Sequence, residues 1–252
     1  MKPIALQLYT LRDAAAADVV GVLKKVAALG YAGVEPAGFH GLSPAEFRRI
    51  VEDLGMKICS SHGPGAQPGN LQEVIDAAGI LGIDLACCGY GPAQFDTREH
   101  IRQTAEMVAG MAEKLQRAGI TLFQHNHYWE FAPVEGRLAY DWYTQDCGPY
   151  VAFEMDAYWS ANHGANDPAA MTKKFADRIP LLHVKDGPLQ KDKAMMPLGT
   201  GKMDIPAVIK ACNEKVLRWV IVELDHCDID MFDAVAQSYT YLTKNGLAKG
   251  RK

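Results

Sequence analysis

A short apolar run followed by a stretch with helical spacing of apolar residues recurs eight times along the chain. Residues 4–9, 33–36, 57–61, 83–88, 120–125, 151–156, 181–184 and 219–224 read as strands. Between them, helices are expected over 18–29, 43–54, 71–81, 98–117, near 140–146, over 168–178, near 205–212, and over 231–242. The local chemistry supports these limits. Val19, Val22, Leu23, Val26 and Leu29 fall on one helical face that Gly30 ends, and Ser43-Pro44-Ala45-Glu46 combines an N-cap hydroxyl, a proline and a capping-box glutamate. Asp167-Pro168 opens a later helix in the same way.

Eight strand–helix units in 252 residues, with no linker or low-complexity stretch, predict an α/β chain closed into a (β/α)₈ TIM barrel, a single domain over 1–252. A doubly wound open sheet is the competing arrangement, but it usually carries a glycine-rich phosphate turn after its first strand. Here that turn reads Tyr9-Thr10-Leu11-Arg12-Asp13, and the chain holds no GxGxxG or Walker A pattern.

Charge and composition narrow the partners. A net charge of −4 gives no general attraction to a phosphate backbone, which speaks against nucleic acid. No apolar stretch reaches the roughly 18 residues that span a bilayer, so no membrane partner is expected. The first residues enter a strand with no leader-like apolar region; unless a leader has been removed, the chain reads as cytoplasmic. The six cysteines form no CxxC pair and are expected to be reduced, with Cys87 and Cys88 on opposite faces of a strand. A homo-oligomer is compatible with all of this.

In a barrel, active groups gather at strand C-termini, and the polar outliers of this sequence sit there. Strand two ends in Glu35, strand three in His62, strand five in His125-Asn126-His127 and strand six in Asp156. Strand seven ends in His183 with Lys185 and Asp186, and strand eight in Glu223 with Asp225. Asp156, His183 and Glu223 lie on three consecutive strands at matching depth, within reach of one ion. With a fourth donor from strand five they would make a mixed oxygen–nitrogen site for a divalent metal, Mn²⁺ first, with Mg²⁺, Co²⁺ or Zn²⁺ as alternatives. Singly, each acid also reads as a helix cap and each histidine as a packed core residue; the coincidence on adjacent strands favours the metal. Tyr9, Tyr128, Trp129, Tyr158 and Trp159 crowd the same end and suit either core packing or stacking on a sugar face.

In order and spacing, several segments resemble the xylose isomerase-like barrels of the sugar phosphate isomerase/epimerase superfamily. They are Leu6-Gln7-Leu8-Tyr9-Thr10-Leu11-Arg12, Gly33-Val34-Glu35, His125-Asn126-His127-Tyr128-Trp129-Glu130-Phe131 and Asp156-Ala157-Tyr158-Trp159. His183-Val184-Lys185-Asp186, Leu198-Gly199-Thr200-Gly201 and Val222-Glu223-Leu224-Asp225 complete the set. The resemblance implies that Asp156, His183 and Glu223 are metal ligands. It departs at strand five, where the epimerases place a glutamate and this chain has His125. His125 is therefore the expected fourth ligand, with His127 and Glu154 as substitutes. A metal-bound imidazole has its lone pair committed, so a symmetric exchange between two glutamates is not expected. Glu223, His127, Lys185 and His62 remain as proton carriers. Glu35, His62, Tyr9 and Trp159 are expected to bind substrate, and Asp186 and Asp225 to orient ligands or cap helices.

The resulting expectation is a metal-dependent sugar, sugar phosphate or keto-sugar isomerase or epimerase that moves a proton next to a carbonyl. The alternative on the same site is a lyase, dehydratase or hydratase acting on a keto-sugar or keto-inositol. A damaged-DNA endonuclease, which the superfamily also contains, fits poorly with the acidic balance and limited ligand set. A non-catalytic sensor fits poorly with the intact ligands.

Overall fold

The computed structural model describes residues 1–251. Eight parallel strands form one curled sheet: β1 (Ile4–Gln7), β2 (Gly33–Glu35), β3 (Lys57–Ile58), β4 (Leu85–Cys88), β5 (Thr121–His125), β6 (Val151–Asp156), β7 (Leu181–Val184) and β8 (Trp219–Val222). Their order is β3-β2-β1-β8-β7-β6-β5-β4, so the first and last strands pair and the chain is a (β/α)₈ TIM barrel. No ladder joins β3 to β4 among the described residues; the loop after β3 reaches across instead, with Ala66 N–H donating to the Cys87 carbonyl at 2.8 Å.

Helices alternate with the strands: α1 (Arg12–Leu29), α2 (Pro44–Asp53), α3 (Leu71–Leu81), α4 (Arg98–Arg117), α5 (Ala139–Asp146), α6 (Pro168–Phe175), α7 (Ile205–Ala211) and α8 (Met231–Lys244). The capping box at Ser43 and Glu46 is formed in both directions, and Asp167 caps α6. Where expectation and structure differ, local hydrogen bonding explains it. α1 starts at Arg12, earlier than expected, but Asp18 breaks it (φ −154°, ψ 82°), and the Asp18 carboxylate accepts the Gly21 N–H at 2.8 Å, restarting the helix where the apolar periodicity begins. β3 ends at Ile58, short of residue 61, because Ser61 turns to bond the Gly63 carbonyl at 2.6 Å. A small hairpin, Pro133–Val134 with Arg137–Leu138, precedes α5.

The period-two alternation of the strands divides the apolar residues into two cores. Ala5, Cys59, Leu85, Cys87, Phe123, Leu181 and Ile221 fill the barrel, with Ala152 and Trp219 packed beneath. Ile4, Leu6, Val34, Cys88, Leu122, Phe153, Met155, Leu182, Val184, Val220 and Val222 belong to the larger layer between sheet and helices. Cys87 and Cys88 thus face opposite ways, and all six cysteines are free. Gly33 is needed at the bottom of the barrel, where a Cβ would lie 2.8 Å from the Lys57 carbonyl and 3.0 Å from the Trp219 ring. The inward register that is apolar below becomes polar at the C-terminal ends: Gln7, Glu35, His125, Glu154, Asp156, His183 and Glu223 are all buried there. No described helix is long and apolar enough to cross a membrane.

Candidate metal centre

Strand register sets the polar layer. β5 pairs His125 with Glu154 of β6, β6 pairs Asp156 with His183 of β7, and β7 pairs His183 with Ile221, two residues before Glu223. One donor atom from each of His125, Asp156, His183 and Glu223 falls within 4.8 Å of all the others. A second group, His62, His125, Glu154 and His183, meets the same limit and shares both central imidazoles.

The His183 ring divides the site. Its Nδ1 faces Glu223 Oε2 at 2.8 Å, while Nε2 faces Glu35 Oε2 at 2.8 Å and Glu154 Oε1 at 3.1 Å. Glu35 has no exposed surface; Gln7 Nε2 donates to it at 2.6 Å and the Ser60 hydroxyl donates to its other oxygen. Glu154 approaches His62 Nε2 at 2.6 Å and His125 Nδ1 at 3.1 Å. On the mouth side, the fully buried Lys185 ammonium lies 3.1 Å from Asp156 Oδ2, 2.9 Å from Glu223 Oε2 and 2.9 Å from Asp225 Oδ2. Asn126 clips β5 to β6, accepting the Asp156 N–H at 2.9 Å and donating to its carbonyl at 3.1 Å, while Asp156 Oδ1 accepts the Trp159 N–H at 2.9 Å.

Leucines at these positions would stabilise the fold by about 2 kcal/mol each, whereas each buried carboxylate costs several kcal/mol before it finds a partner. Lys185 faces Asp156, Glu223 and Asp225, while Glu35 and Glu154 lie against the His62 and His183 rings, so carboxylates outnumber the cations of the layer. Burial opposes ionisation throughout, and the outcome depends on the neighbours. Burial pushes Asp156 up to about 6 despite Lys185, and pushes Glu35 up with help from Glu154. Against the same burial, His183 and His62 hold Glu154 well down, Lys185 and His183 do so for Glu223, and the surrounding carboxylates hold His183 and Lys185 well up. Burial and the neighbouring cations push His125 down to about 3, and burial with Lys185 pushes His127 down to about 4. Both rings are neutral at working pH, the form in which a ring nitrogen offers its lone pair. His125 Nδ1 and Asp156 Oδ2 are buried without a hydrogen bond; their 3.1 Å contacts to Glu154 and Lys185 lack bonding geometry. A divalent cation that displaces a His183 proton fits this donor set in charge, and His125 Nδ1 and Asp156 Oδ2 offer lone pairs not engaged in a hydrogen bond.

The remaining sequence candidates surround this centre. The His127 ring stacks on Trp129 (4.3 Å, 10°), its backbone N–H donates to Glu130 Oε2 at 2.9 Å, and its ring Nδ1 has no partner. Tyr128, Trp129 and Trp159 form a half-buried wall with His163, and the Lys185 Nζ lies 5.4 Å from the Trp159 ring centre. Tyr9 sits apart at the rim, 43% exposed and stacked on Arg12. Tyr158 is buried in the outer core. Asp225 pairs with Lys185, and Asp186 accepts backbone N–H bonds from the loop after β7. Glu154, expected only as a substitute ligand, sits between three imidazoles; its two-residue spacing from Asp156 on β6 is the local signal. Gln7, Ser60 and Glu130 carry no expected role. Gln7 ends an otherwise apolar strand, whereas nothing local marks Ser60 or Glu130.

The model of the xylose isomerase-like TIM barrel family matches residues 23–244. A sugar phosphate isomerase/epimerase from Parabacteroides distasonis ATCC 8503 superimposes with a TM-score of 0.81 at 25% identity, over 99% of this chain and 100% of that one. An L-ribulose 3-epimerase shares the fold at a TM-score of 0.72 and 17% identity, over 98% of this chain and 95% of its own. A probable 3-DHS dehydratase from Bacillus anthracis does so at 0.74 and 10%, over 96% and 99%. No curated protein matches the chain.

Proposed function

Because the chain belongs to the xylose isomerase-like TIM barrel family, we propose that it is a metal-dependent isomerase or epimerase that moves a proton next to a carbonyl of a small polyhydroxylated substrate. The observation that carries this reading is the convergence of His125, Asp156, His183 and Glu223 within 4.8 Å at the C-terminal mouth. These four are the proposed ligands. The overlapping group around His62 and Glu154 offers one carboxylate and three imidazoles. The chosen group offers two of each, which suits an oxygen-preferring ion such as Mn²⁺ better. A divalent ion held there supplies Lewis acidity to a carbonyl or vicinal hydroxyl pair.

The chain's own groups supply the rest. His127, neutral, with its ring stacked on Trp129 and its backbone N–H held by Glu130, has a free Nδ1 and is the proposed base. Lys185, anchored by Asp225, offers an ammonium proton beside Glu223 and can stabilise charge on a substrate oxygen. The wall of Tyr128, Trp129 and Trp159 excludes water and stacks on the apolar face of the substrate. His62 and Tyr9 are proposed to line the substrate's approach, and Glu35 to act from beneath His183 rather than on the substrate directly.

One observation favours a second reading, elimination by a lyase or dehydratase. β5 ends in His125, so a pair of metal-bound glutamates facing both sides of a carbon is not supplied. The two outcomes separate in deuterated water. A panel of ketoses and keto-inositols is incubated with Mn²⁺-loaded protein; isomerisation incorporates deuterium at carbon, whereas elimination creates an absorbing conjugated carbonyl. Exhaustive chelation should abolish either activity and Mn²⁺ restore it, with metal also raising the melting temperature. Full activity in demonstrably metal-free protein would end the proposal.

A further inference from the structure

The inward face of β6 carries two carboxylates, and the ligand set proposed above uses only Asp156. Ala152, Glu154 and Asp156 alternate inward along β6, with Ala152 packed on the barrel core, so Glu154 lies one step deeper than Asp156. Three imidazole nitrogens close on its carboxylate. His62 Nε2 and His125 Nδ1 lie 2.6 and 3.1 Å from Oε2, and His183 Nε2 lies 3.1 Å from Oε1. Glu35 Oε2 stands at the edge of the same cluster, 2.8 Å from His183 Nε2 and 3.5 Å from His62 Nε2. Donors bound to one tetrahedral zinc at about 2.0–2.1 Å stand about 3.3 Å apart, and the separations in this cluster bracket that spacing.

Protons alone do not satisfy these groups. Glu154 has no exposed surface and His125 is 6% exposed, yet Glu154 Oε1 and His125 Nδ1 have no hydrogen-bond partner. Buried polar atoms are normally paired, and a leftover pair inside one cluster calls for an ion between them. The donors also differ in kind from those of the outer group. Three imidazoles meet one carboxylate here, against two of each around Asp156 and Glu223. Imidazole suits Zn²⁺, whereas carboxylate suits Mn²⁺.

His183 belongs to both groups but turns a different nitrogen to each. Its Nε2 faces Glu154 and Glu35, and its Nδ1 faces Glu223. A neutral ring has one free nitrogen and one N–H. An ion at the inner position takes Nε2 and leaves the proton on Nδ1, where Glu223 accepts it; an ion beside Glu223 needs the reverse. We propose that His62, His125, Glu154 and His183 form a second cation position, deeper than the first and selective for zinc, and that zinc held there shuts out the outer ion. The exclusion rests on the outer ligand set proposed above; the inner position rests on its own donors.

Zn²⁺ is titrated into the chelated chain against a chromophoric chelator, and Mn²⁺ binding is followed by loss of the free-ion EPR signal. The parent should bind one Zn²⁺ per chain, and that zinc should release bound Mn²⁺. His62→Ala should weaken zinc binding by about tenfold or more and leave Mn²⁺ within about twofold, and Asp156→Asn should do the opposite. In ring-nitrogen spectra of the zinc-loaded parent, His183 should carry its proton on Nδ1, a readout that decides even if a variant fails to fold. Zinc bound through Nδ1, zinc affinity untouched by His62→Ala, or two zinc ions per chain overturns the proposal. If zinc sits on Nε2 while Mn²⁺ binds nowhere, the outer ligand set fails and the inner position stands. If Asp156→Asn loses both ions and His62→Ala neither, the inner position fails and the outer set stands.

Discussion

Glu35 offers a way to test the proposed ligand set from outside it. If His183 binds metal through Nδ1, on the side of Glu223, its Nε2 must carry the proton and donate a hydrogen bond to Glu35 Oε2 at 2.8 Å. Carboxylate partners of this kind fix the tautomer and ring orientation, and their loss costs about 10–100-fold in metal affinity, or about 1.4–2.8 kcal/mol. The structure indicates where in that range two substitutions fall. In Glu35→Gln the Ser60 hydroxyl can turn to accept from the new amide, leaving the amide oxygen for Gln7 and His183; geometry survives, charge does not, and the loss should be about tenfold. Glu35→Ala leaves Gln7, Ser60 and His183 facing an apolar gap. Its metal affinity should fall about a hundredfold, and the metal-free fold should weaken by about 1–3 kcal/mol per unpaired donor. Glu154 Oε1, at 3.1 Å from the same Nε2, can take up part of the His183 bond and holds these figures down. Competition against a chromophoric chelator measures the affinity, urea unfolding of the metal-free chain measures the fold, and ring-nitrogen chemical shifts of His183 identify its tautomer. A folded Glu35→Ala chain that binds metal within about twofold of the parent, with the His183 tautomer unchanged, would refute the reasoning.

Three further expectations follow from named contacts. His125→Ala should weaken metal binding by about tenfold or more, whereas His127→Ala should keep the metal and lower turnover by about 10²–10⁴-fold; metal content and rate of the two variants decide, and a reversed pattern exchanges the roles. Burial pushes the Glu130 carboxyl from 4.5 up to about 8, against the bonds it accepts from His127 N–H and Gln124. A raised carboxyl favours the fold while protonated and loses that advantage as pH rises through the folded value. The parent should therefore lose stability relative to Glu130→Gln between pH 4.5 and about 8, read by urea unfolding at several pH values, and a flat difference would contradict the shift. Gly33→Ala forces a methyl to within 2.8 Å of the Lys57 carbonyl and 3.0 Å of Trp219, so it should lower the unfolding free energy by about 1–3 kcal/mol; an unchanged denaturation midpoint would show that the barrel floor yields freely.

Local patterning along the chain specifies the order and type of the main elements and the end of the barrel at which ionisable residues collect. Both follow from local patterns: apolar residues two or three to four apart report a strand or a helix, and an ionisable residue ending an apolar strand stands out against it. That is why Asp156, His183 and Glu223 were legible, and why the break at Asp18 coincided with the expected start of a helix. Which groups share a partner depends on how the barrel closes. His183 touches Glu35, 148 residues away in sequence, through one ring nitrogen and Glu223 through the other. Gln7 and Ser60 support Glu35 from two other strand ends, and Glu154 became the junction of three imidazoles. In the Leu198–Gly201 segment, the Gly199 and Gly201 N–H groups close on Asp186, a pairing no local pattern marks. Barrel closure brings residues from distant strands into one layer, and the low dielectric there makes each pairing count; neither the closure nor the burial is written in the spacing of residues along a single strand.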